Sequence, residues 1–553
     1  MELKPIMGIA QDLGIDEQDI ESYGKFKAKI SLDSLTRKKS IGSSNADDAK
    51  LILVSAMTPT PAGEGKTTTS IGLAQGLRKL GRRSVLALRQ PSMGPVFGRK
   101  GGATGGGKST IQPSDSINLQ FTGDFHAITA AHNLLSAAID NKIHFGQSDI
   151  DPLKVLWKRA IDMNDRSLRS IVIGLGGKSV GGTPRQTGFD ITAASEIMAI
   201  LCLADSRANL RERLDRILIG YSRDDRPIFA KEIGVTGAMM AILNEAIQPN
   251  LVQSVEGVPT FVHGGPFANI AHGCNSILAT KMALRFGEFA ITEAGFAFDL
   301  GAEKFMSIKS RAANLNPAVI VIVATVRALK MHGGMALNQL NEPNVTALKR
   351  GLANLAAHCA AAKQFLRPVV VAINQRTEDS VEELAAVHEF CKTIDVKCST
   401  ANVFGLGGEG ALDLAKTVVQ LTENQGELPD LNHVYQLSDS IEEKIRKIAT
   451  KIYGAKDVSF VGSAKQKIKK AEALGFGSLP VCMAKTQNSL SDDPKLLGRP
   501  DNFTLTVRDI EIASGAGFIV VLTGDIVRMP GLPLIPAAEK IDVDESGKIF
   551  GLT

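Results

Sequence analysis

The sequence predicts an α/β fold with a P-loop-type, mostly parallel sheet core, a helical insertion and a C-terminal α/β domain. Three observations predict it. A strand, a glycine-rich turn, a helix and a second strand follow one another between Lys50 and Leu88. Short apolar runs that end in glycine or polar clusters recur later, as at 319–326 and 367–374. Strands and helices alternate around these runs, which favours a parallel sheet.

The spacing of these elements predicts how the 553 residues divide. We expect a nucleotide-binding core over 1–128 and 252–360 that begins with a helical N-terminal extension. Residues 129–251 have a mostly helical pattern and are predicted as an insertion. Residues 361–553 are predicted as an α/β domain that contributes to the ligand cleft.

Composition excludes several classes of protein. Hydrophobic content of 44% and charged content of 22% are typical of a globular protein, and a net charge of +5 is too small to indicate nucleic acid as a partner. The six cysteines are scattered without a C-x-x-C pair, so we expect reduced thiols rather than a zinc site or disulfides. No signal-peptide core or membrane-spanning run is evident, and we expect a cytoplasmic protein.

The stretch from Thr60 to Thr67 fits the phosphate-loop pattern G-x-x-x-x-G-K-[ST] except at its first position, where threonine replaces glycine. Such a loop points backbone N–H groups and a helix N-terminus at phosphate oxygens. Lys66 would reach the terminal phosphates, and the Thr67 hydroxyl would ligate Mg²⁺. The alternative is an ordinary glycine-rich turn. The predicted nucleotide contacts are Thr60, Pro61, Ala62, Gly63, Glu64, Gly65, Lys66, Thr67 and Thr68.

Arg89 follows the second strand directly. In an open α/β sheet, ligands gather at the carboxyl ends of the strands. Arg89 is therefore predicted beside the phosphate loop, where its planar guanidinium would bind a carboxylate or a transferring phosphoryl group. An exposed arginine at a strand end is the alternative.

A second glycine-rich stretch runs from Gly98 to Lys108. So many glycines favour neither helix nor strand, so the segment is either a flexible lid or a backbone that approaches a ligand closely. Its lysines favour an anionic ligand, and Gly105 and Gly106 are predicted to contact it.

Two further groups of polar residues are candidates. Asp124 and His126 lie two residues apart at a predicted helix start, and the sequence does not decide between catalysis, capping and packing for them. Arg327 and Lys330 follow a buried strand and are predicted to face the nucleotide.

Together these motifs resemble the formate–tetrahydrofolate ligase family. The resemblance rests on the phosphate loop, the glycine-rich stretch and the segments 264–273 and 323–334, and weaker similarity extends it over nearly the whole chain. It implies a two-step reaction in which formate attacks the γ-phosphate of ATP and N10 of tetrahydrofolate then attacks formyl phosphate. Lys66, Arg89 and Asp124 are the expected catalytic residues. The resemblance also implies a homotetramer activated by K⁺ or NH₄⁺.

The chain departs from the family pattern where folate is expected to bind. Arg376 replaces an aromatic residue, Phe404 replaces tryptophan, and Lys108 replaces tyrosine. Stacking on the family's aromatic pair is worth on the order of 1 kcal/mol per contact, although the Arg376 guanidinium could also stack on a ring. Two alternatives therefore stay open: a related acyl-phosphate-forming ligase with another acceptor, and a nucleotide-switch ATPase.

Overall fold

A twelve-stranded sheet forms the centre of the computed structural model, which describes residues 3–37, 49–100, 103–177, 179–423, 426, 428–524 and 526–552, without the side chains of 99 and 100. Seven neighbouring strands of this sheet are parallel. Their side chains are almost all buried, as expected for a parallel sheet covered on both faces. The α/β class and the mostly parallel sheet are therefore confirmed. In spatial order the seven strands are Pro259–Val262, Ser84–Leu88, Phe289–Glu293, Lys50–Ala56, Pro317–Ala324, Val369–Asn374 and Lys397–Ala401.

Alternate residues of the central strand point into two different cores. Leu51 and Leu53 belong to one hydrophobic cluster, and Ile52 and Val54 belong to another on the opposite face. Helices cover both faces. The α-helices are Ile6–Leu13, Lys66–Lys79, Met93–Pro95, Ser114–Asn118, Asp124–His144, Glu196–Leu203, Arg207–Asp215, Ala230–Ile233, Thr236–Ile242, Ile277–Phe286, Ser310–Ala313, Val326–His332, Val345–Lys363, Val381–Thr393, Val403–Leu406, Leu412–Glu423, Ile441–Ile448 and Ala464–Ala473.

The N-terminal segment differs from the predicted helical extension. After one helix, the strands Ile20–Ser22 and Ala28–Ile30 pair with each other, and Ala28–Ile30 also pairs with Asn250–Ser254 at the antiparallel edge of the large sheet. Three-residue strands are too short to display a period of two, which is why the sequence pattern did not reveal them. The short strands Gly105–Gly106 and Ser109–Gln112 join the same edge.

The segment 129–251 is mixed rather than largely helical. Its helices alternate with short strands that pair in small sheets of two or three. A third hydrophobic cluster joins this segment to the C-terminal part of the chain, since Trp157 and Ile200 share it with Phe518. The short strands are Ile150–Val155, Arg159–Ile161, Ile171–Ile173, Arg185–Thr187, Phe189–Ile191, Leu218–Ser222 and Pro227–Phe229.

The large sheet continues past the predicted boundary at residue 360, because the strands at 369–374 and 397–401 extend it. Small sheets follow further along the chain. The remaining C-terminal strands are Asp457–Phe460, Val481–Ala484, Thr504–Val507, Asp509–Ala513, Phe518–Leu522, Asp542–Val543 and Ile549–Phe550.

Within the described residues, no helix is long and apolar enough to cross a membrane.

A buried ion pair fixes the long helix Asp124–His144 against the sheet edge. Lys29 Nζ lies 2.8 Å from Asp124 Oδ1, and their side chains are 0% and 2% exposed. Asn250 donates to the other oxygen of Asp124 at 2.7 Å. The helix starts at Asp124 as predicted, but Gly123 occupies the capping position. Both carboxylate oxygens of Asp124 are thus occupied by protein groups.

We expect Asp124→Ala to lower the free energy of unfolding by about 3–5 kcal/mol, because it leaves the buried Lys29 without a counter-charge. Urea unfolding followed by circular dichroism measures this. The exposed pair Lys4–Asp12 supplies the control, since its side chains are 54% and 43% exposed. Asp12→Ala should cost less than about 1 kcal/mol. Equal losses in the two variants would contradict a structural role for Asp124.

Candidate active site

The glycine-rich turn after the strand Lys50–Ala56 leads directly into the helix Lys66–Lys79. Gly63 and Gly65 have φ angles of +80° and +72°, a backbone region that glycine adopts without strain. Gly65 caps the helix, so Lys66 is its first residue. Thr60 is buried, whereas Pro61 and Ala62 are exposed at the tip of the turn. This is the strand, turn and helix that the sequence predicts.

Glu64 holds the turn together from inside. Its Oε1 accepts a hydrogen bond from the Thr60 backbone N–H at 2.7 Å, and its Oε2 accepts one from the Thr325 hydroxyl. Asn374, the last residue of a neighbouring strand, donates to the Glu64 carbonyl oxygen at 3.0 Å. The Glu64 side chain, predicted to contact the nucleotide, is therefore 2% exposed and is used within the protein.

Lys66 and Thr67 lie beside a carboxylate that the sequence analysis did not select. The Thr67 hydroxyl donates to Glu293 Oε2 at 2.8 Å. Burial lowers the pKa of the Lys66 ammonium group, the charges of Glu293 and Glu64 oppose this, and the Arg89 guanidinium lowers the pKa further. Two cations and two carboxylates thus surround the start of the helix. Glu293 could have been found, because it is a carboxylate at the end of a buried strand.

Arg89 follows the strand Ser84–Leu88 and is half-buried. Its Nη1 donates to the Pro266 carbonyl oxygen at 3.4 Å, while its buried Nε has no hydrogen-bond partner within the described residues. A Cβ atom on Gly295 would lie 2.9 Å from Nη1. The glycine at 295 therefore leaves the guanidinium the space it occupies. Free donors next to Lys66 fit an anionic ligand.

The second glycine-rich stretch packs against Phe404, although its residues 101 and 102 lie outside the described part of the chain. The Lys108 backbone N–H donates to the Phe404 carbonyl oxygen at 2.9 Å. A Cβ atom on Gly106 would lie 3.1 Å from the Phe404 ring and 3.9 Å from the Thr68 hydroxyl. Gly105 has a φ of +92°, which permits its close approach to the Ser109 carbonyl oxygen. The glycines thus allow the backbone of this stretch to pass close to Phe404 and to the Ser109 carbonyl oxygen.

Phe404 and Arg376 are both accessible at this edge. The Phe404 side chain is 62% exposed, which is high for an aromatic residue next to a buried turn. Arg376 is exposed and follows Asn374 by two residues, on the strand end that contacts Glu64. The structure therefore brings the start of the helix Lys66–Lys79, Gly106 and Phe404 together, with Arg376 on an adjoining loop.

Lys330 and Arg327, the two residues predicted after the strand Pro317–Ala324, differ in their surroundings. Lys330 is 1% exposed, lies 3.0 Å from Glu383 Oε1 and donates to the Glu342 carbonyl oxygen at 2.8 Å. Arg327 is half-buried, and its Nε has no partner within the described residues. Lys330 thus stabilises the packing of two helices. His126 is exposed on the long helix.

Oxygen donors for a metal ion are present at the helix start. The Thr67 hydroxyl and the Glu293 carboxylate are hard ligands of the kind that Mg²⁺ prefers. Across the described ranges, no group of three or more His, Cys, Asp or Glu side chains is placed to hold a metal ion. An ion here would take most of its ligands from phosphate and water, as Mg²⁺ commonly does.

Comparison with known proteins identifies one family over the full length. A family model described as formate–tetrahydrofolate ligase matches residues 1–553. Among solved structures, the apo form of L. casei FPGS matches with 12% identity and a TM-score of 0.15, covering 64% of this chain and 86% of that chain. Folylpolyglutamate synthase from Thermotoga maritima has the same identity and score, with 60% and 84% covered. Structural matches this weak carry no argument.

Gly63 and Gly65 form a matched pair that tests the phosphate loop. A Cβ atom on Gly65 would lie 2.4 Å from Asn374 Nδ2, whereas one on Gly63 would contact nothing within 4 Å. Alanine at either position strains the backbone by about 1–2 kcal/mol. We expect Gly65→Ala to weaken ATP binding, measured by calorimetry, about tenfold more than Gly63→Ala, since tenfold corresponds to about 1.4 kcal/mol. Equal losses would place the nucleotide elsewhere.

Proposed function

The chain belongs to the formate–tetrahydrofolate ligase family, whose members are ATP-dependent carbon–nitrogen ligases. We propose that its phosphate loop binds ATP and that Arg89 binds formate. The exposed residues Phe404 and Arg376, here called the Phe404 edge, are proposed to bind the folate. The observation that carries the proposal is the convergence of Lys66, the Thr67–Glu293 contact and Arg89 at the ends of neighbouring parallel strands. Phosphoryl transfer needs positioned positive charge more than covalent help, and this arrangement supplies it.

In the first step, formate attacks the γ-phosphate of ATP and ADP leaves, which forms formyl phosphate. Backbone N–H groups of residues 60–67 and the Lys66 ammonium group bind the phosphates. Arg89 orients formate and then holds formyl phosphate, since its Nε has no hydrogen-bond partner in the part of the chain that the structure describes. The fixed positive charges offset the negative charge that develops on the transferring group.

Mg²⁺ fits the oxygen donors at the helix start. Thr67 Oγ1 and the Glu293 carboxylate, whose nearer oxygen lies 2.8 Å away, would hold it together with ATP. When bound, the ion would neutralise negative charge on the phosphates of ATP. By family resemblance we add activation by K⁺ or NH₄⁺ and a homotetrameric assembly. The six free cysteines support a reducing, cytoplasmic location.

In the second step, N10 of tetrahydrofolate attacks the carbonyl carbon of formyl phosphate. A C–N bond forms, the C–O bond to phosphate breaks, and 10-formyltetrahydrofolate and phosphate are released. Phe404 lies next to the phosphate loop through Gly106 and is exposed enough to stack on a ring of the folate. Arg376 offers a guanidinium plane at the same edge.

The exposed, non-aromatic Arg376 favours one alternative, an acyl-phosphate-forming ligase with a different acceptor. ADP release by the purified protein with ATP, Mg²⁺, K⁺ and formate, with and without tetrahydrofolate, separates the readings. ADP and formylated folate in equal amounts support the ligase. Formate-dependent ADP release without folate product points to the alternative acceptor. No dependence on formate would overturn both and favour a switch ATPase.

Replacing Lys66 and replacing Arg89 should have different effects on the kinetic constants. Lys66→Ala should reduce kcat by about 10²–10³-fold, because it removes charge stabilisation of the transferring phosphoryl group. Arg89→Ala should raise the KM for formate and lower kcat, with little change in ATP affinity. Steady-state kinetics with each substrate varied measure this. Arg78→Ala is the control, because Arg78 lies on the same helix as Lys66 and, among the described residues, its side chain bonds the Gly257 carbonyl oxygen and nothing in the proposed site. Normal formate kinetics in Arg89→Ala would remove Arg89 from the mechanism.

Larger aromatic surface at the Phe404 edge should raise the affinity for tetrahydrofolate. The double replacement of Arg376 by phenylalanine and Phe404 by tryptophan adds an aromatic face at 376 and enlarges the one at 404, a gain of about 1 kcal/mol. We expect the KM for tetrahydrofolate to fall by about five- to tenfold while the KM for ATP stays unchanged. Far-ultraviolet circular dichroism checks that the fold is kept. An unchanged KM for tetrahydrofolate would show that folate binds elsewhere.

A further inference from the structure

A cavity separate from the candidate active site lies between the insertion, residues 129–251, and the C-terminal part of the chain. Its volume is about 540 Å³, within the usual range for small-molecule sites. Its apolar walls include Leu218 from the insertion and Phe518 and Val520 from a C-terminal strand. Ile270 and Ala271 close a third side. These are not residues of the phosphate loop or of the Phe404 edge.

An aromatic pair forms part of the cavity wall. The rings of His132 and Trp157 are stacked with 4.2 Å between centroids and 22° between planes. The indole N–H donates to the His132 carbonyl oxygen at 3.2 Å, so the indole orientation is fixed. Burial lowers the pKa of His132 to about 4, so the ring is neutral at physiological pH. The wall thus offers flat, uncharged surface to a ligand.

The cations of the lining are already paired with carboxylates. Arg528 contacts two of them, and the other three cations contact one each. An anionic ligand would have to displace these partners. The pairs are Lys158–Asp190 at 3.4 Å, Arg528–Asp190 at 3.3 Å, Arg528–Glu511, Lys467–Asp509 at 2.6 Å and Lys470–Asp225 at 3.7 Å.

Glu196 is a carboxylate of the lining that uses one of its two oxygens within the protein. Its Oε1 accepts from the backbone N–H groups of Gly515 at 2.8 Å and Ala516 at 3.1 Å. Its Oε2 takes part in no further hydrogen bond within the described residues. Burial raises the pKa of Glu196 to about 7. In the ionised form of the side chain, this oxygen can accept a hydrogen bond from a ligand.

We propose that this cavity binds a flat nitrogen heterocycle with an exocyclic amino group, which donates an N–H to Glu196 Oε2 and packs against Trp157 and the apolar walls. Two kinds of molecule share this chemistry, a nucleobase such as adenine and a pterin. Because the cations of the lining are paired and Glu196 Oε2 can accept, the cavity favours a ligand with an N–H donor over an anionic ligand. The enclosed apolar walls favour a ring over a flexible polar chain. The proposal is independent of the function assigned to the phosphate loop.

Trp157 provides a direct signal, because it is the single tryptophan of the chain. Adenine is titrated into the full-length protein without ATP, and tryptophan emission and calorimetric heat are recorded. Purine, which lacks the amino group, is the matched control ligand. We expect adenine to change the emission with saturation and to bind at least tenfold more tightly than purine. Pterin is then tested as a competitor of radiolabelled adenine, and displacement identifies a site that also accepts a pterin.

Glu196→Gln is the decisive variant. Its amide oxygen still accepts from Gly515 and Ala516, so the fold is retained, while an NH₂ group replaces the free acceptor. Adenine affinity should fall at least tenfold. Lys66→Ala, which alters the phosphate loop, should leave the Trp157 signal unchanged. Equal binding of adenine and purine, full adenine affinity in Glu196→Gln, loss of the signal in Lys66→Ala, or no emission change at all would each overturn the proposal.

Discussion

The parallel pairing of the central strands is the constraint on which the candidate active site depends. Glu293 pairs with Val54 and Thr292 pairs with Ala87, so the ends of three neighbouring strands lie level at one edge of the sheet. Parallel strands place their carboxyl ends on the same side, where open α/β sheets bind ligands. This rule accounts for the positions of four site residues. Arg89, Glu293, Thr325 and Asn374 all lie at or just after the end of a strand.

The same edge is ordered by internal carboxylates. Glu64 accepts hydrogen bonds from Thr60 and Thr325, and Glu293 accepts one from Thr67, so the turn at residues 60–67, the proposed phosphate loop, is held in shape by protein groups. These carboxylates also oppose the lowering of the Lys66 pKa by burial. A preorganised cluster of fixed charges needs little rearrangement when phosphate binds, which is how electrostatic catalysis is most effective. The cost is two buried carboxylates, and their hydrogen bonds offset it.

Elements with strong local patterns could be predicted from the sequence, while contacts between distant elements could not. The strands Pro317–Ala324 and Val369–Asn374 lie close to the apolar runs predicted at 319–326 and 367–374, because each is a continuous apolar run that ends in a glycine or polar cluster. The three-residue edge strands lack such a pattern. Lys330 was predicted to face the nucleotide, yet it is paired with Glu383, which lies 53 residues further along the chain. A sequence shows that a charged residue follows a strand, but not which distant side chain neutralises it.

The divergent position 404 shows why a changed side chain need not move the site. Its backbone is fixed by neighbours, since Lys108 N–H donates to the Phe404 carbonyl oxygen and the Ser109 hydroxyl donates to the Val403 carbonyl oxygen at 2.8 Å. Gly72, on the helix that begins at Lys66, leaves the space that the Val403 side chain occupies. The phosphate-loop helix therefore sets the position of residue 404 whatever ring it carries. Replacement of an aromatic residue there changes the exposed face of the side chain, and the distance from that face to the turn at residues 60–67 is preserved.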